Sequence, residues 1–239
     1  MRIEVMDIPF DNVTMNEALD AADRLMARSG ATYGVTPNAE IVYEALEDEA
    51  LRQIICRADL VLPDGAGVVL AAKLLKTPLK EKVAGIDFAR RLMERHREDG
   101  TTFFFLGSKP GVAEKAVENM RKDYPGIQIV GTRDGYFQDE ADVIREINEK
   151  KPDVLFVCLG FPKQERFMYD HREALQVGLM LGLGGSLDGF AGNVKRAPEW
   201  MIRCSLEWLY RLIQEPSRFG RMLRLPKFLW RVMLRRMKG

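Results

Sequence analysis

The sequence predicts an α/β fold: a mostly parallel sheet with helices on both faces, followed by a C-terminal amphipathic helical appendage. Three observations predict it. Short runs that are apolar throughout alternate with amphipathic segments of helical period, as expected when strands are buried on both sides. Hydrophobic residues make up 46% of 239, ample for a sizeable core. Charge is divided sharply along the chain. Residues 1–194 hold 24 Lys and Arg against 32 Asp and Glu, whereas residues 195–239 hold 12 against 3. The division predicts a core over 1–195 and a basic appendage over 196–239.

Within the core, residues 31–36 (ATYGVT) read as a strand feeding a single helix over 39–56, whose apolar residues at 41, 42, 45, 46, 51, 54 and 55 share one face. Residues 59–63 (DLVLP) feed a helix over 67–76. The segment AGIDFARRLMERHRE is helical, with Asp87 as its N-cap, and leads to a strand over 101–107 and the helix VAEKAVENMRKDYP. Strand 127–132, helix ADVIREINEKK, strand 153–160 and strand 177–184 complete the series, a Rossmann-like arrangement. Glu47, Asp48 and Glu49 read as a solvated helix face, and GFPKQERF (160–167) reads as a polar loop or a helix start.

In the appendage, residues 198–214 form one amphipathic pattern, Pro216 breaks it, Ser217 can cap a short turn, and Pro226 opens a last helix. Arg221, Arg224, Arg231 and Arg235 fall on one face, beside Met222, Leu225, Leu229 and Met233. With Trp230 among its apolar residues, this pattern suits an anionic membrane surface. Burial against a neighbouring subunit, giving a weak homo-oligomer, uses the same apolar stripe. Amphipathic register argues against nucleic acid, which a phosphate ladder of basic residues would serve better.

Several classes are excluded or disfavoured. Cys56, Cys158 and Cys204 are odd in number and lack metal-ligand spacing, which suits reduced thiols in the cytoplasm. No apolar run reaches spanning length, so membrane contact is expected to be peripheral. The N-terminus lacks the uninterrupted apolar stretch of a signal peptide. His96 and His171 are the only histidines and both lie in charged helical contexts, and no Asp-x-Asp is present. Neither a Ser-His-Asp triad nor a metal site is expected, which leaves arginine to neutralise any phosphate. A nicotinamide or methyl-donor enzyme is disfavoured because GLGGSLDGFAG carries Leu187 where the third fingerprint glycine would stand.

The candidate site lies at predicted strand-to-helix turns, where open parallel sheets bind ligands. Asp64 in LPDGAG serves either as a general base or as the cap of the following helix. Gly65 and Gly67 beside it would let a ligand approach backbone N–H groups. Thr36 and Asn38 of VTPNAE occupy the equivalent turn one strand earlier; Asn38 is either a sugar contact or a plain N-cap. Gly107 and Ser108 of LGSKPGVAE suit a phosphate. Gln164 and Glu165 are available for a base or a sugar.

Six ordered blocks together resemble the WecG/TagA/CpsF family of bacterial glycosyltransferases, most closely its TagA branch: TPNAEIVYEA, ADLVLPDGAGVV, VAGIDF, FFLGSKPGVAEKA, DVLFVCLGFPKQE and GGSLDGFAGNVKRAPEWMIRCSLEWLYRLIQEPSRFGR. They span about residues 31–224. The resemblance implies inverting, metal-independent transfer of N-acetylmannosamine from a UDP-sugar to an undecaprenyl-diphosphate-linked N-acetylglucosamine, on the inner face of the cell membrane. Other family branches imply another UDP-hexose or a uronic acid. The family's catalytic base falls on Asp64, with Thr36 as its companion. Its appended arginines fall on Arg211, Arg218 and Arg221.

Overall fold

A computed structural model describes residues 1–195, 197–203, 206–214, 220 and 223–238. The strands are β1 (Arg2–Val5), β2 (Ile8–Asp11), β3 (Thr32–Val35), β4 (Leu60–Val61), β5 (Thr102–Gly107), β6 (Gln128–Arg133), β7 (Val154–Cys158) and β8 (Leu179–Gly182). Six of them form one parallel sheet in the order β4-β3-β8-β7-β5-β6. The fold class predicted from the apolar runs is the one observed.

The helices are α1 (Met15–Met26), α2 (Ala39–Glu47), α3 (Glu49–Cys56), α4 (Ala66–Leu74), α5 (Gly85–Arg95), α6 (Val112–Asp123), α7 (Glu140–Lys150), α8 (Lys163–Asp170) and α9 (Ser186–Phe190). Beyond them lie α10 (Glu199–Arg203), α11 (Glu207–Gln214) and α12 (Arg224–Lys238). Two apolar cores sandwich the sheet. One contains Tyr33, Val35, Val42 and Leu155; the other contains Leu60, Phe88, Phe103 and Phe156. Alternate residues of each strand thus feed opposite cores, which is why the strands read as apolar throughout.

The N-terminal hairpin was not evident in the sequence. β1 and β2 pair antiparallel around Met6 and Asp7, whose φ angles of 52° and 63° are left-handed. Such turns are normally announced by Asn or Gly, and neither is present here. Asp11 at the end of β2 accepts the Val61 N–H at 2.9 Å and ties the hairpin to the edge of the sheet.

Three local expectations are corrected. The helix expected over 39–56 is two helices, divided at Asp48. That residue takes an extended conformation and accepts the Leu51 N–H at 3.0 Å, capping α3. A short polar side chain that can bond its own backbone favours such a break over continuation. Glu47, Asp48 and Glu49 are largely exposed, as expected, but they straddle the break between α2 and α3 and do not form one helix face, and they pair with Arg231, Arg166 and Arg52. Asp87 is not the cap of α5. Ala84 holds that position and Asp87 lies in the first turn, where the helix dipole favours a negative charge.

The tail is seated on the body through α12. Phe228 and Val232, one helical turn apart, are fully buried in the core cluster that also holds Val42, Ala45 and Val68. Its arginines meet acidic partners on the body. Arg224 pairs with Glu40 and Glu44, Arg231 pairs with Glu47 and lies over the Tyr43 ring, and Arg235 forks onto Asp7 at 2.6 and 2.7 Å. The side-chain bond from Arg235 holds the Asp7 carboxyl below its ordinary range. The last helix begins at Arg224 rather than Pro226, and the single pattern expected over 198–214 comprises α10 and α11. Ser217 and Met222 lie outside the described residues.

Candidate active site

The carboxyl ends of β3, β4 and β8 form adjacent turns, and the first of these carries Thr36. Its side chain is almost fully buried, and its Oγ1 donates to the Gly182 carbonyl of β8 at 3.1 Å. Asn38, two residues on, is the N-cap of α2 and accepts the Ile41 N–H at 3.0 Å. Its carboxamide oxygen therefore does structural work.

Asp64 follows β4 and does not cap the helix it precedes. Gly65 is the N-cap of α4, with φ 87° and ψ 150°, a conformation essentially reserved for glycine, and no side chain caps that helix. Asp64 Oδ2 instead accepts the N–H of Gly85, the first residue of α5, at 3.3 Å. The carboxylate is half-buried and lies at the positive end of a helix distant in sequence. Gly85 also touches Thr36: a Cβ there would lie 3.0 Å from Thr36 Oγ1. One glycine thus joins the two residues predicted to act together.

Gly67 serves packing rather than ligand approach. A Cβ there would lie 2.8 Å from Ala39 Cβ and 3.0 Å from Leu225 Cδ1, so its absence lets the start of α12 lie against the start of α4. The tail therefore returns to the body three residues from Asp64.

On the far side of the sheet, Gly107 has φ 131°, and a Cβ there would lie 2.3 Å from the Cys158 carbonyl oxygen. Close pairing of β5 with β7 demands this glycine. Ser108 adopts φ 62° and its Oγ donates to Asp188 Oδ2 at 3.0 Å, joining the β5 turn to α9. No local pattern encodes that bond, which spans 80 residues. Gly107 and Ser108 lie along the same rim as Thr36 and Asp64, beyond the ends of β8 and β7.

Gln164 and Glu165 lie in the first turn of α8, not in a loop, and both are buried. Gln164 Oε1 accepts the Gly184 N–H at 2.8 Å, and its Nε2 donates to Glu165 Oε1 at 2.9 Å. Their burial was not legible, because KQER reads as solvated. Burial pushes the Glu165 carboxyl up to about 7, opposed by hydrogen bonds from Gln164 and from its own backbone N–H. Between about 4.5 and about 7 the native state keeps a proton that the unfolded chain releases, so stability is greatest below that window and falls as pH rises through it. The slope is at most about 1.4 kcal/mol per pH unit. Glu165→Gln is therefore expected to gain stability over the wild type as pH rises through the window, with no further gain above it. Urea unfolding across that range checks this, and a pH-independent difference contradicts it.

Of the appended arginines, Arg218 and Arg221 lie outside the described residues, and Arg211 belongs to α11 with its side chain undescribed. Arg224, Arg231 and Arg235 are engaged by the acidic residues named above, and Trp230 is 64% exposed. Cys56 and Cys158 are free thiols, and burial pushes Cys158 up to about 12. Cys204 lies outside the described residues. A groove of about 630 Å³ opens between the hairpin, α2, α3 and α12, lined by Met6, Asp7, Leu46, Arg52, Arg231, Leu234 and Arg235. None of these residues belongs to the turns at the carboxyl rim, and the chemistry-bearing groups are at that rim. Among the described residues no helix is long and apolar enough to cross a membrane.

An open parallel sheet covered by helices is the architecture of α/β proteins whose ligands bind at the carboxyl ends of the strands, and Thr36 and Asp64 stand at those ends. A family model described as Glycosyl transferase WecG/TagA/CpsF family matches residues 3–239, and the chain belongs to that family of glycosyltransferases. It is 41% identical over 199 residues to the N-acetylglucosaminyldiphosphoundecaprenol N-acetyl-beta-D-mannosaminyltransferase of Bacillus spizizenii (strain W23), covering 83% of this chain and 77% of that one. Proteins of the same description from Bacillus subtilis (strain 168) and Staphylococcus aureus (strain MW2) are 38% and 32% identical. They cover 94% and 97% of this chain and 88% and 92% of their own.

Proposed function

We propose that the chain transfers N-acetylmannosamine from UDP-N-acetylmannosamine to the 4-hydroxyl of undecaprenyl-diphosphate-linked N-acetylglucosamine, a step in building the linkage unit of wall teichoic acid. The family membership and the names of three relatives support the reaction class and the lipid-linked acceptor. The observation that carries the assignment of the base is the contact of Gly85 with both Asp64 and Thr36. A carboxylate tied to its own helix could not serve, whereas this one stands at the junction of two strand ends.

In the proposed displacement, Asp64 takes the proton of the acceptor hydroxyl as that oxygen bonds to the anomeric carbon. The bond to UDP breaks on the opposite face, so configuration inverts. Thr36 beside it orients the sugar. Leaving diphosphate gains charge, and in this reading Arg211, Arg218 and Arg221 neutralise it without a metal. Leu225, at the start of α12, packs on Gly67, three residues from Asp64. Incubation with a panel of UDP-sugars and the lipid-linked acceptor, followed by product mass, tests the reaction. Product from UDP-N-acetylmannosamine is expected, and product from a different sugar alone would redirect the assignment.

Peripheral contact with the inner face of the membrane follows in this reading from the acceptor's lipid and from α12. Three of its arginines already have acidic partners, while Lys227 and Arg236 are exposed and make no ion pair among the described residues. Trp230, Met233 and Met237 are exposed nearby. At about 1 kcal/mol per basic residue near an anionic surface, Lys227→Ala with Arg236→Ala is expected to weaken vesicle partitioning about 30-fold. Co-sedimentation with anionic vesicles measures it, and unchanged partitioning would remove these residues from the contact.

A further inference from the structure

We infer that Glu165 is a positioning residue for the donor side of the transfer site, acting through the Gln164 carboxamide. The inference rests on the glycosyl-transfer reading above and adds a residue to it. Gln164 and Glu165 are 3% and 1% exposed. Glu165 Oε1 takes a hydrogen from Gln164 Nε2, which leaves Gln164 Oε1 facing the Gly184 N–H. Reversing the amide would set two donors against each other at Gly184 and two acceptors at Glu165, so the carboxylate fixes which way Gln164 faces.

Packing carries the connection on to the proposed site. Gly182, at the end of β8, lacks a side chain where Gln164 packs: a Cβ there would lie 3.0 Å from Gln164 Nε2. The Gly182 carbonyl accepts the Thr36 hydroxyl. Gln164 thus bonds to the Gly184 turn and packs against the strand end on which Thr36 depends, and Glu165 holds Gln164. Folding alone gives this carboxyl poor justification, because Glu165 Oε2 is buried and finds no hydrogen-bond partner among the described residues. An apolar residue of similar size would remove that orphaned oxygen but also the acceptor of Gln164 Nε2, so what the carboxyl supplies is its hold on Gln164 beside the proposed site.

The test measures UDP affinity by calorimetry, donor KM and kcat, and the melting temperature. Glu165→Leu is expected to fold with a melting temperature near that of the wild type, since loss of the orphaned oxygen offsets loss of the Gln164 Nε2 acceptor, to weaken UDP binding and raise donor KM at least about tenfold, and to change kcat less than about threefold. In a Gln164→Ala background the same substitution should add less than about a twofold effect. Glu165→Gln, whose carbonyl still accepts from Gln164, should bind UDP within about threefold of the wild type. Wild-type affinity in Glu165→Leu, a full additional loss in the Gln164→Ala background, or equal impairment of Glu165→Gln and Glu165→Leu would overturn the inference. Should Glu165→Leu not fold, the comparison of Glu165→Gln with Gln164→Ala decides: rescue by the first and loss in the second are expected, and equal behaviour overturns it. A wild type that binds no UDP removes the donor reading and this inference together, whereas binding by both wild type and Glu165→Leu removes only the positioning role.

Discussion

Asp64→Asn is expected to lower kcat by about 10²- to 10⁴-fold while leaving UDP affinity nearly unchanged. The carboxamide is isosteric and keeps an oxygen to accept the Gly85 N–H, so the turn after β4 and the start of α5 should hold their places. What is lost is the basicity. An asparagine oxygen cannot carry away the proton of an attacking hydroxyl, and the acceptor must then attack as a neutral alcohol. The effect belongs in kcat rather than in donor binding because the proton moves only as the new bond forms. Single-turnover transfer with saturating donor measures it directly. Retention of full kcat would exclude Asp64 as the base.

Phe228→Ala is expected to lower the free energy of unfolding by about 3–5 kcal/mol. Phe228 is fully buried between α12 and the helices beneath it, with Val232 one turn further on. Truncation would leave a cavity where the tail meets the body. The exposed Trp230 is the internal comparison, since Trp230→Ala removes a larger side chain from the same helix and should change stability by less than about 0.5 kcal/mol. Chemical denaturation of the two variants checks both. The arginine pairs contribute less per contact, being partly exposed, and serve mainly to orient the helix on its acidic seat. Removing residues 196–239 would strip buried side chains, Phe228 and Val232 among them, as well as basic charge. Point substitutions at Lys227 and Arg236 are therefore the cleaner way to separate membrane contact from folding.

Much of the fold was legible because the sheet is parallel and buried on both faces. Its inner strands are apolar runs, and β5 and β7 stand out through Phe103–Phe105 and Val154–Cys158, whereas β6 at the edge is mixed. The hairpin was not legible, because Met6 and Asp7 adopt left-handed angles that no glycine or asparagine announces. The amphipathic character of α12 was plain from sequence, but the destination of its arginines was not. Arg224 meets Glu40 across 184 residues, and no local pattern encodes such a pairing.

At the site, Asp64 and Thr36 could be placed at neighbouring turns if their strands pair, but that Asp64 does not cap α4 needed the structure. Its bond goes instead to Gly85, whose position depends on where a loop brings α5. Glu165 was hidden for a different reason. Its neighbours Lys163 and Arg166 are exposed, and two polar residues turned inward between two exposed charges leave no apolar period to detect.

A crystal structure of the intact protein with UDP bound decides whether the rim holds the donor. The diphosphate is expected across the carboxyl ends of β3, β4 and β8, its sugar-bearing phosphate beside Thr36 and Asp64. Density for UDP in the groove between the hairpin and α12, with the rim at Asp64 untouched, would contradict it.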